Sequence, residues 1–510
     1  MDALVHLLAE DTLVKAVERA IGRVGALAVD KLRARFTEVR PLLQARIVRA
    51  FARLANEPGA AAFLVEVLDD RDADPKTRRN AAIALGHARG EAVEAALLRA
   101  WAADPLLELR RSVAASLGKV GTERSLGALR EAAEAGDTEL ARIAQRSSIM
   151  VSRTSSRSGG VSIEMARAAD RALDVVAFAR QGLEDLLADE LSRSPALDSV
   201  RVMAPGRVRA RLLGPMASLF AARTMLSFCF PLPTEWIAGG GSPSDAVARA
   251  VSGEVARLVF STWTTGAPRF RIAWAQGGHR RAATWDAVRA IALHAPELVN
   301  DPTASTWELV VSSQPRFVDV DIAPRTLQDP RFVWRKGNVP AASHPTIAAA
   351  LARVATAQPG DIVWDPFVGS GAELVERAML GPFRALHGSD LDPDALAAAR
   401  QNLEAAGFAA RLAHADALGH EAVIPTGVTL VITNPPMGRR SSRTAGLADT
   451  LDRFVAHAAS VLVQGGRLVW IAPFAARSRA AATRAGLTLE WARVVDMGGF
   501  DAEMQRWVRA

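Results

Sequence analysis

Four short apolar runs in the last third of the chain each end on an acid or an amide, and their cadence restricts the fold more than any other feature. Asp361-Ile362-Val363-Trp364-Asp365 runs into Pro366-Phe367-Val368-Gly369-Ser370-Gly371 and then into Ala372-Glu373-Leu374-Val375-Glu376-Arg377-Ala378, a predicted helix. Ala385-Leu386-His387-Gly388-Ser389 ends in Asp390-Leu391-Asp392-Pro393, with a helix predicted from Asp394 to Leu403. A third run ends at His414-Ala415-Asp416-Ala417, and a fourth, Val428-Thr429-Leu430-Val431-Ile432-Thr433, delivers Asn434-Pro435-Pro436-Met437-Gly438. The landmarks at 365, 390, 416 and 434 advance by 25, 26 and 18 residues. That is the pace of consecutive strand and helix units in a doubly wound parallel sheet. Such a sheet brings all four landmarks to the carboxyl ends of its strands, where open sheets bind ligands.

Each landmark has a residue type suited to one task. Glycines after the first strand let the backbone approach a ligand, and the helix that follows offers unpaired N–H groups, although a Gly-Ser-Gly turn also serves plain packing. An acid ending the second strand can accept hydrogen bonds from ribose hydroxyls. The fourth landmark suits an exocyclic amine on a base, a poor nucleophile because its lone pair is conjugated into the ring. The Asn434 side-chain oxygen and the Pro435 carbonyl can receive the amine's two N–H bonds while the prolines hold the loop. In-line positioning against a cationic leaving group then needs no strong base. His344, His387, His414 and His420 are therefore read as structural or surface residues, and no spaced ligand cluster implies a metal.

The joint pattern resembles class I S-adenosylmethionine-dependent methyltransferases of the amino-methylating kind, whose hallmark is an (Asn/Asp)-Pro-Pro-(aromatic) loop after the fourth strand. The resemblance implies that Asp365, Phe367, Val368, Gly369 and Gly371 hold the methionine end of S-adenosyl-L-methionine. It further implies that Asp390 binds the ribose, Leu391 packs on adenine, Asp416 with Ala417 receives the adenine amino group, and Asn434, Pro435, Pro436 and Met437 form the catalytic loop, with Asn434 also touching the cofactor. Met437 departs from the family, which has an aromatic residue there, and the chain contains no tyrosine at all. A thioether packs against a base without offering an aromatic face. Three readings stay open: methionine substitutes for the ring, Phe474 in Ala472-Pro473-Phe474 supplies it, or catalysis is lost. The basic run Gly438-Arg439-Arg440-Ser441-Ser442-Arg443 is either a loop in which Arg439, Arg440 and Arg443 meet RNA phosphates or a solvated turn.

The N-terminal region repeats. Arg46-Ile47-Val48-Arg49-Ala50-Phe51-Ala52, Arg78-Arg79-Asn80-Ala81-Ala82-Ile83-Ala84-Leu85-Gly86 and Arg110-Arg111-Ser112-Val113-Ala114-Ala115-Ser116-Leu117-Gly118 are spaced by 32 residues, a period of two short helices. These segments resemble HEAT-like repeats over roughly residues 40–140, and they imply either a docking surface for a protein or RNA or an appended scaffold. Ser152-Arg153-Thr154-Ser155-Ser156-Arg157-Ser158-Gly159-Gly160 reads as a polar linker within 147–170. Beyond it the pattern is mixed α and β. A strand at Leu173–Ala179 precedes Gly182-Leu183-Glu184-Asp185-Leu186-Leu187, and a Phe270-Arg271-Ile272 strand and a helix precede Val299-Asn300-Asp301-Pro302 and the alternating Phe317-Val318-Asp319-Val320-Asp321-Ile322. This order is similar to the ferredoxin-like and THUMP modules that capture substrate RNA in THUMP-domain RNA methyltransferases. Lys336-Gly337-Asn338-Val339-Pro340 and the Ser343–Leu351 helix look like that family's joining segment. Arg280 and Arg281, beside His279, are candidate phosphate contacts or part of a solvated turn.

Length agrees with several domains, since 510 residues correspond to three or four at roughly 100–200 each. A single cysteine, Cys229, excludes an intrachain disulfide and a cysteine-rich zinc site. The amino terminus lacks a basic n-region, and no apolar run approaches the ~20 residues needed to span a bilayer, so a cytoplasmic protein without membrane association is expected. A net charge of +7 permits a polyanionic partner. The expected class is therefore multidomain: an all-α HEAT-like solenoid (1–146), a linker (147–170), α+β ferredoxin-like (171–240) and THUMP-like (241–332) modules, and an α/β Rossmann-like methyltransferase (333–510). The resemblance implies N2-methylation of guanosine in structured RNA, with tRNA favoured over rRNA and a protein partner as an option for the repeats. Asn-Pro-Pro alone fits adenine N6 in nucleic acid and glutamine N5 in protein equally, and a non-catalytic RNA-binding or assembly factor stays open.

Overall fold

The computed structural model describes residues 2–237, 239, 241–278, 280–340, 342–418, 426–437 and 446–510, with the side chains of 156–158 excepted. The chain forms two compact units, Met1–Ile163 with Leu232–Val320, and Glu164–Pro231 with Asp321–Ala510.

In the first unit the repeats are helix pairs: Pro41–Ala50 with Ala60–Asp69, Pro75–Leu85 with Glu91–Ala103, and Leu107–Val120 with Leu126–Glu134. Ala50, Ala82 and Ala114 recur at the 32-residue period and are fully buried, because small residues there let the first helices of successive repeats stack. The repeated arginines are structural. Arg46 donates to the carbonyls of Leu8 and Ala9 at 2.7 and 2.8 Å, Arg78 to Leu68 at 3.1 Å and Arg110 to Asp104 at 2.8 Å. Each one satisfies carbonyls at the end of an earlier helix, where the backbone leaves acceptors unpaired and the dipole favours a cation.

The structure corrects the expected linker. The helix that starts at Thr138 continues to Ser158. Leu140, Ala144, Ser147 and Val151 are buried at helical spacing, so an inward stripe persists through the polar run. Ser147 lies under Gly118, where a Cβ would fall 2.8 Å from its Cα, and the helix-to-helix approach depends on both small residues. Arg153 donates to the Asn300 carbonyl at 2.6 Å and to its Oδ1 at 2.7 Å instead of being solvated. This unit also holds the parallel strands Arg269–Trp274 and Trp307–Ser313, joined through helix Arg281–His294.

In the second unit, strand Leu173–Phe178 lies between antiparallel Arg207–Leu212 and Ser227–Pro231, with Leu197–Ala204 outside. Helix Glu184–Ser192 packs on this layer. The division between the two units falls at 231/232 and at 320/321, the latter within strand Phe317–Pro324.

The rest of the second unit is an α/β domain, whose elements are α1 (Pro345–Val354), β1 (Ile362–Asp365), α2 (Ala372–Met379), β2 (Ala385–Asp390), α3 (Pro393–Ala405), β3 (Arg411–His414), β4 (Val428–Thr433), α4 (Leu447–Val461), β5 (Leu462–Ala472), α5 (Ala475–Arg484), β6 (Leu487–Asp496) and β7 (Asp501–Arg509). The sheet order is β3-β2-β1-β4-β5-β7-β6. The first five strands run parallel and β7 runs antiparallel to both neighbours. Trp470, Phe454 and Trp507 fill one face of the core. Beneath the sheet Asp361 is fully buried, taking Arg377 Nε at 3.0 Å and Nη2 at 2.7 Å on one oxygen and Arg467 on the other. The α/β domain is tied to the small β layer by buried ion pairs, Arg223 to Glu376 at 2.6 Å and Arg353 to Glu190 at 2.6 Å. Among the described residues no helix is long and apolar enough to cross a membrane.

Candidate active site

Chain order reverses between β1 and β4, which are adjacent in the sheet, and the crevice above that switch point is where this architecture binds ligands. Asp365 is the last residue of β1 and is fully buried. Its Oδ1 accepts from the Phe367 N–H at 3.2 Å and from the Thr433 hydroxyl at 2.6 Å, whereas its Oδ2 is buried with no partner among the described residues. Burial, reinforced by the Glu373 charge, pushes its carboxyl well above the usual range. An unsatisfied buried acceptor of this kind suits a cationic ligand group, which would restore the ionised form.

The turn after β1 is built for proximity. Gly369 has φ +49° and donates its N–H to Asp390 Oδ2 at 2.9 Å, tying the turn to the end of β2. Asp390 Oδ1 accepts from the Asp392 N–H at 3.0 Å, and a carboxylate with one bond on each oxygen still has lone pairs for ribose hydroxyls. Gly371 has φ +79° and approaches Ala399 of α3, where a Cβ would sit 3.2 Å from the Ala399 Cβ, so it serves packing as well as the turn. Phe367 is half-buried, edge-on to Phe454.

Sequence-predicted residues fall into three groups. Asp365, Phe367, Gly369 and Asp390 meet around the switch point through these hydrogen bonds, and Asn434 joins them as the residue that follows Thr433. Leu391, 61% exposed just beyond β2, presents an open apolar surface, and Asp416 is exposed beyond β3 with Oδ1 accepting from the Leu418 N–H at 2.9 Å. Val368 and Ala417 are buried as packing residues, Val368 against Gly388 and Ala417 in the core cluster with Trp364. Arg280 is exposed in the first unit with its guanidinium 5.4 Å from the Trp274 ring centroid, and Arg281 begins a helix there. Gly438, Arg439, Arg440 and Arg443, together with His279 and His420, lie outside the described residues.

The fourth landmark has a feature the sequence did not disclose. Asn434 Nδ2 donates to Ser343 Oγ at 2.8 Å, and the Ser343 hydroxyl is hydrogen-bonded to Glu373 Oε1. Asn434 Oδ1 is buried with no partner among the described residues. Pro435 is buried, Pro436 exposed and Met437 half-buried. Glu373, the second residue of α2, is almost wholly buried, and burial pushes its carboxyl up to about 7 against the opposing Ser343 hydrogen bond. Ser343 looked like part of a joining segment and Glu373 like an ordinary helix residue. The one local signal was an acid on a short helix whose neighbours, Ala372, Leu374 and Val375, are apolar. His344 caps α1, its Nδ1 3.3 Å from the Thr346 N–H, in the structural role expected.

Residues 333–500 match the family model described as RMKL-like, methyltransferase domain, and residues 62–149 match HEAT repeats. With the sheet order above, the former match makes residues 333–500 similar to a class I methyltransferase domain. The chain is 38% identical over 157 residues to the tRNA (guanine(6)-N2)-methyltransferase of Thermus thermophilus, covering 30% of this chain and 46% of that protein. It is 28% identical over 180 residues to the tRNA (guanine(10)-N2)-dimethyltransferase of Methanothermobacter thermautotrophicus, covering 35% and 49% respectively. It thus spans about half the length of the curated relatives it matches. The crystal structure of TrmN from Thermus thermophilus superposes with a TM-score of 0.55 and 25% identity, over 67% of this chain and all of that one.

Proposed function

We propose that this protein is an S-adenosylmethionine-dependent RNA methyltransferase that forms N2-methylguanosine in tRNA. The carrying observation is Asn434, whose side-chain oxygen is buried, without a partner among the described residues, and carried by the loop after β4, as an acceptor for an exocyclic amine must be. S-adenosylmethionine supplies an electrophilic methyl on a sulfonium when bound, and the donor and acceptor set fits it. Asp365 Oδ2 would take the ammonium group, Asp390 the ribose hydroxyls, Leu391 the adenine face and Asp416 the adenine amino group. Asn434 Oδ1 and the Pro435 carbonyl then hold the guanine amine by its two N–H bonds and aim its lone pair, and Met437 packs on the base through its thioether.

The preference for guanine N2 and for tRNA is supported by the names of the two relatives. Residues 171–240 and 241–332 act as ferredoxin-like and THUMP-like modules that capture the RNA, with Arg280 and Arg281 as phosphate contacts and Arg439, Arg440 and Arg443, which follow Met437 in the sequence, as further ones. The HEAT repeats offer a docking surface for a protein partner, and the reaction belongs in the cytoplasm. The test is transfer of a tritiated methyl from S-adenosylmethionine to unmodified tRNA, rRNA, DNA and protein, with nucleosides and amino acids resolved by chromatography. Label in N2-methylguanosine from tRNA is expected. Label in N6-methyladenine or N5-methylglutamine instead would replace the substrate, and no label despite cofactor binding would favour a non-catalytic RNA-binding factor.

A further inference from the structure

An asparagine that must present an acceptor has a difficulty a carboxylate lacks. Its carboxamide is nearly symmetric in shape, and a turn about its last bond swaps oxygen for NH2. With NH2 outward, the Asn434 side chain would meet the substrate amine donor to donor. Something must therefore read the two ends differently.

We propose that Ser343 and Glu373 are positioning residues that hold the Asn434 carboxamide with its oxygen toward the substrate amine. The proposal rests on the methyltransferase reading above. Glu373 in its ionised form accepts only, so the Ser343 hydroxyl proton is committed to it. The Ser343 oxygen is then left as an acceptor, and only the NH2 end of Asn434 can satisfy it, as the 2.8 Å contact from Nδ2 records. The Asn434 oxygen is thereby directed to the opposite side, where it is buried and has no partner among the described residues. The three residues come from separate parts of the chain: the loop after β4, the segment before α1 and the first turn of α2. Protonating Glu373 removes the constraint, because a carboxylic acid can donate to Ser343 and free the hydroxyl to donate to a reversed carboxamide. The charged groups acting on Glu373 are Glu376 one turn along α2 and Arg335 before α1, and the Glu373 charge in turn raises the Asp365 carboxyl at the end of β1. Glu376 favours protonation of Glu373 and the arginine opposes it.

The experiment compares the wild-type full chain with Ser343→Ala, Ser343→Thr and Glu373→Gln on tRNA. Ser343→Ala should lower kcat by roughly 10- to 100-fold, leaving S-adenosylmethionine affinity by calorimetry within about threefold, because the cofactor residues are elsewhere. Ser343→Thr, which keeps the hydroxyl, should recover most of that loss. Wild-type kcat should rise with pH through a midpoint near 7, and Glu373→Gln should lack that limb. In infrared difference spectra against Glu373→Gln, the protonated-carboxyl stretch should persist to higher pH in Ser343→Ala than in wild type. An active wild type with Ser343→Ala within twofold of it, or an acid limb retained in Glu373→Gln, would overturn the positioning role. A wild type that labels no RNA would instead remove the methyltransferase reading, and the infrared comparison would still report whether Ser343 holds Glu373.

Discussion

Thr433 and Asp365 end adjacent parallel strands, and the Thr433 hydroxyl donates to Asp365 Oδ1 at 2.6 Å, so one carboxylate oxygen is committed while the other is buried and open. That division makes Asp365 a fixed acceptor and not merely a charged residue near a cleft. Asp365→Ala should weaken S-adenosylmethionine binding by roughly 10- to 100-fold, the cost of about 1.5–3 kcal/mol for a lost hydrogen bond to a charged group. Calorimetry measures it, and tRNA affinity by filter binding should stay within twofold of wild type. Equal cofactor affinity in the variant would show that Asp365 is a core residue only.

Asp361 carries the stability of the sheet's underside. Burial pushes its carboxyl up, but the Gln358 N–H and the guanidinium groups of Arg377 and Arg467 outweigh it and hold the carboxyl below its ordinary value. A carboxyl depressed on folding contributes stability that is present above its unfolded pKa, about 3.9, and is lost as pH falls through the folded value. Asp361→Asn leaves two buried arginines without a counter-charge and should destabilise by roughly 3–5 kcal/mol at pH 7. Urea denaturation at pH 7 and pH 3 should show the difference shrinking at the lower pH.

Glu373 has the opposite sign. Its folded-state carboxyl lies near 7, above the unfolded value, so it contributes stability below about pH 4.3 that is lost as pH rises toward 7. Glu373→Gln cannot ionise, so relative to wild type it should gain stability between pH 4 and pH 8, by an amount of roughly 3 kcal/mol. Melting temperatures measured across that range test the slope, and a constant difference would contradict the buried-acid account.

Met437 is half-buried beside the two prolines, and Phe474 is exposed after β5, the strand next to β4. If the thioether packs on the base, Met437→Ala should reduce kcat/KM for tRNA by about tenfold, a loss of about 1.4 kcal/mol. Cofactor affinity should not change, and Met437→Tyr should retain activity. Wild-type kcat/KM in Met437→Ala, with a loss in Phe474→Ala, would move the base contact to the ring.

The parallel sheet was legible because its units are local. A strand, a turn and a helix within about 25 residues carry their own signals, and the four landmarks stand at the strand ends where the spacing put them. The 32-residue repeat was legible for the same reason. The helix through Ser158 was not, because Ser, Arg and Gly argue locally for a tether while the buried stripe from Leu140 to Val151 and the Gly118 contact decide globally. Ser343 was missed because its meaning depends on a residue 91 positions away. Ser343 reads as part of a joining segment until Asn434 and Glu373 are both seen to close on it.

Asn434, on this reading, acts on the substrate amine and not on the fold or the cofactor. Single-turnover methyl transfer to unmodified tRNA, with wild type and Asn434→Ala both saturated with S-adenosylmethionine, isolates that role. N2-methylguanosine should form in the wild type, and the variant's rate should be at least 100-fold lower, a loss of about 2.7 kcal/mol or more, with tRNA and cofactor affinities preserved. A variant that methylates at the wild-type rate would contradict the assignment.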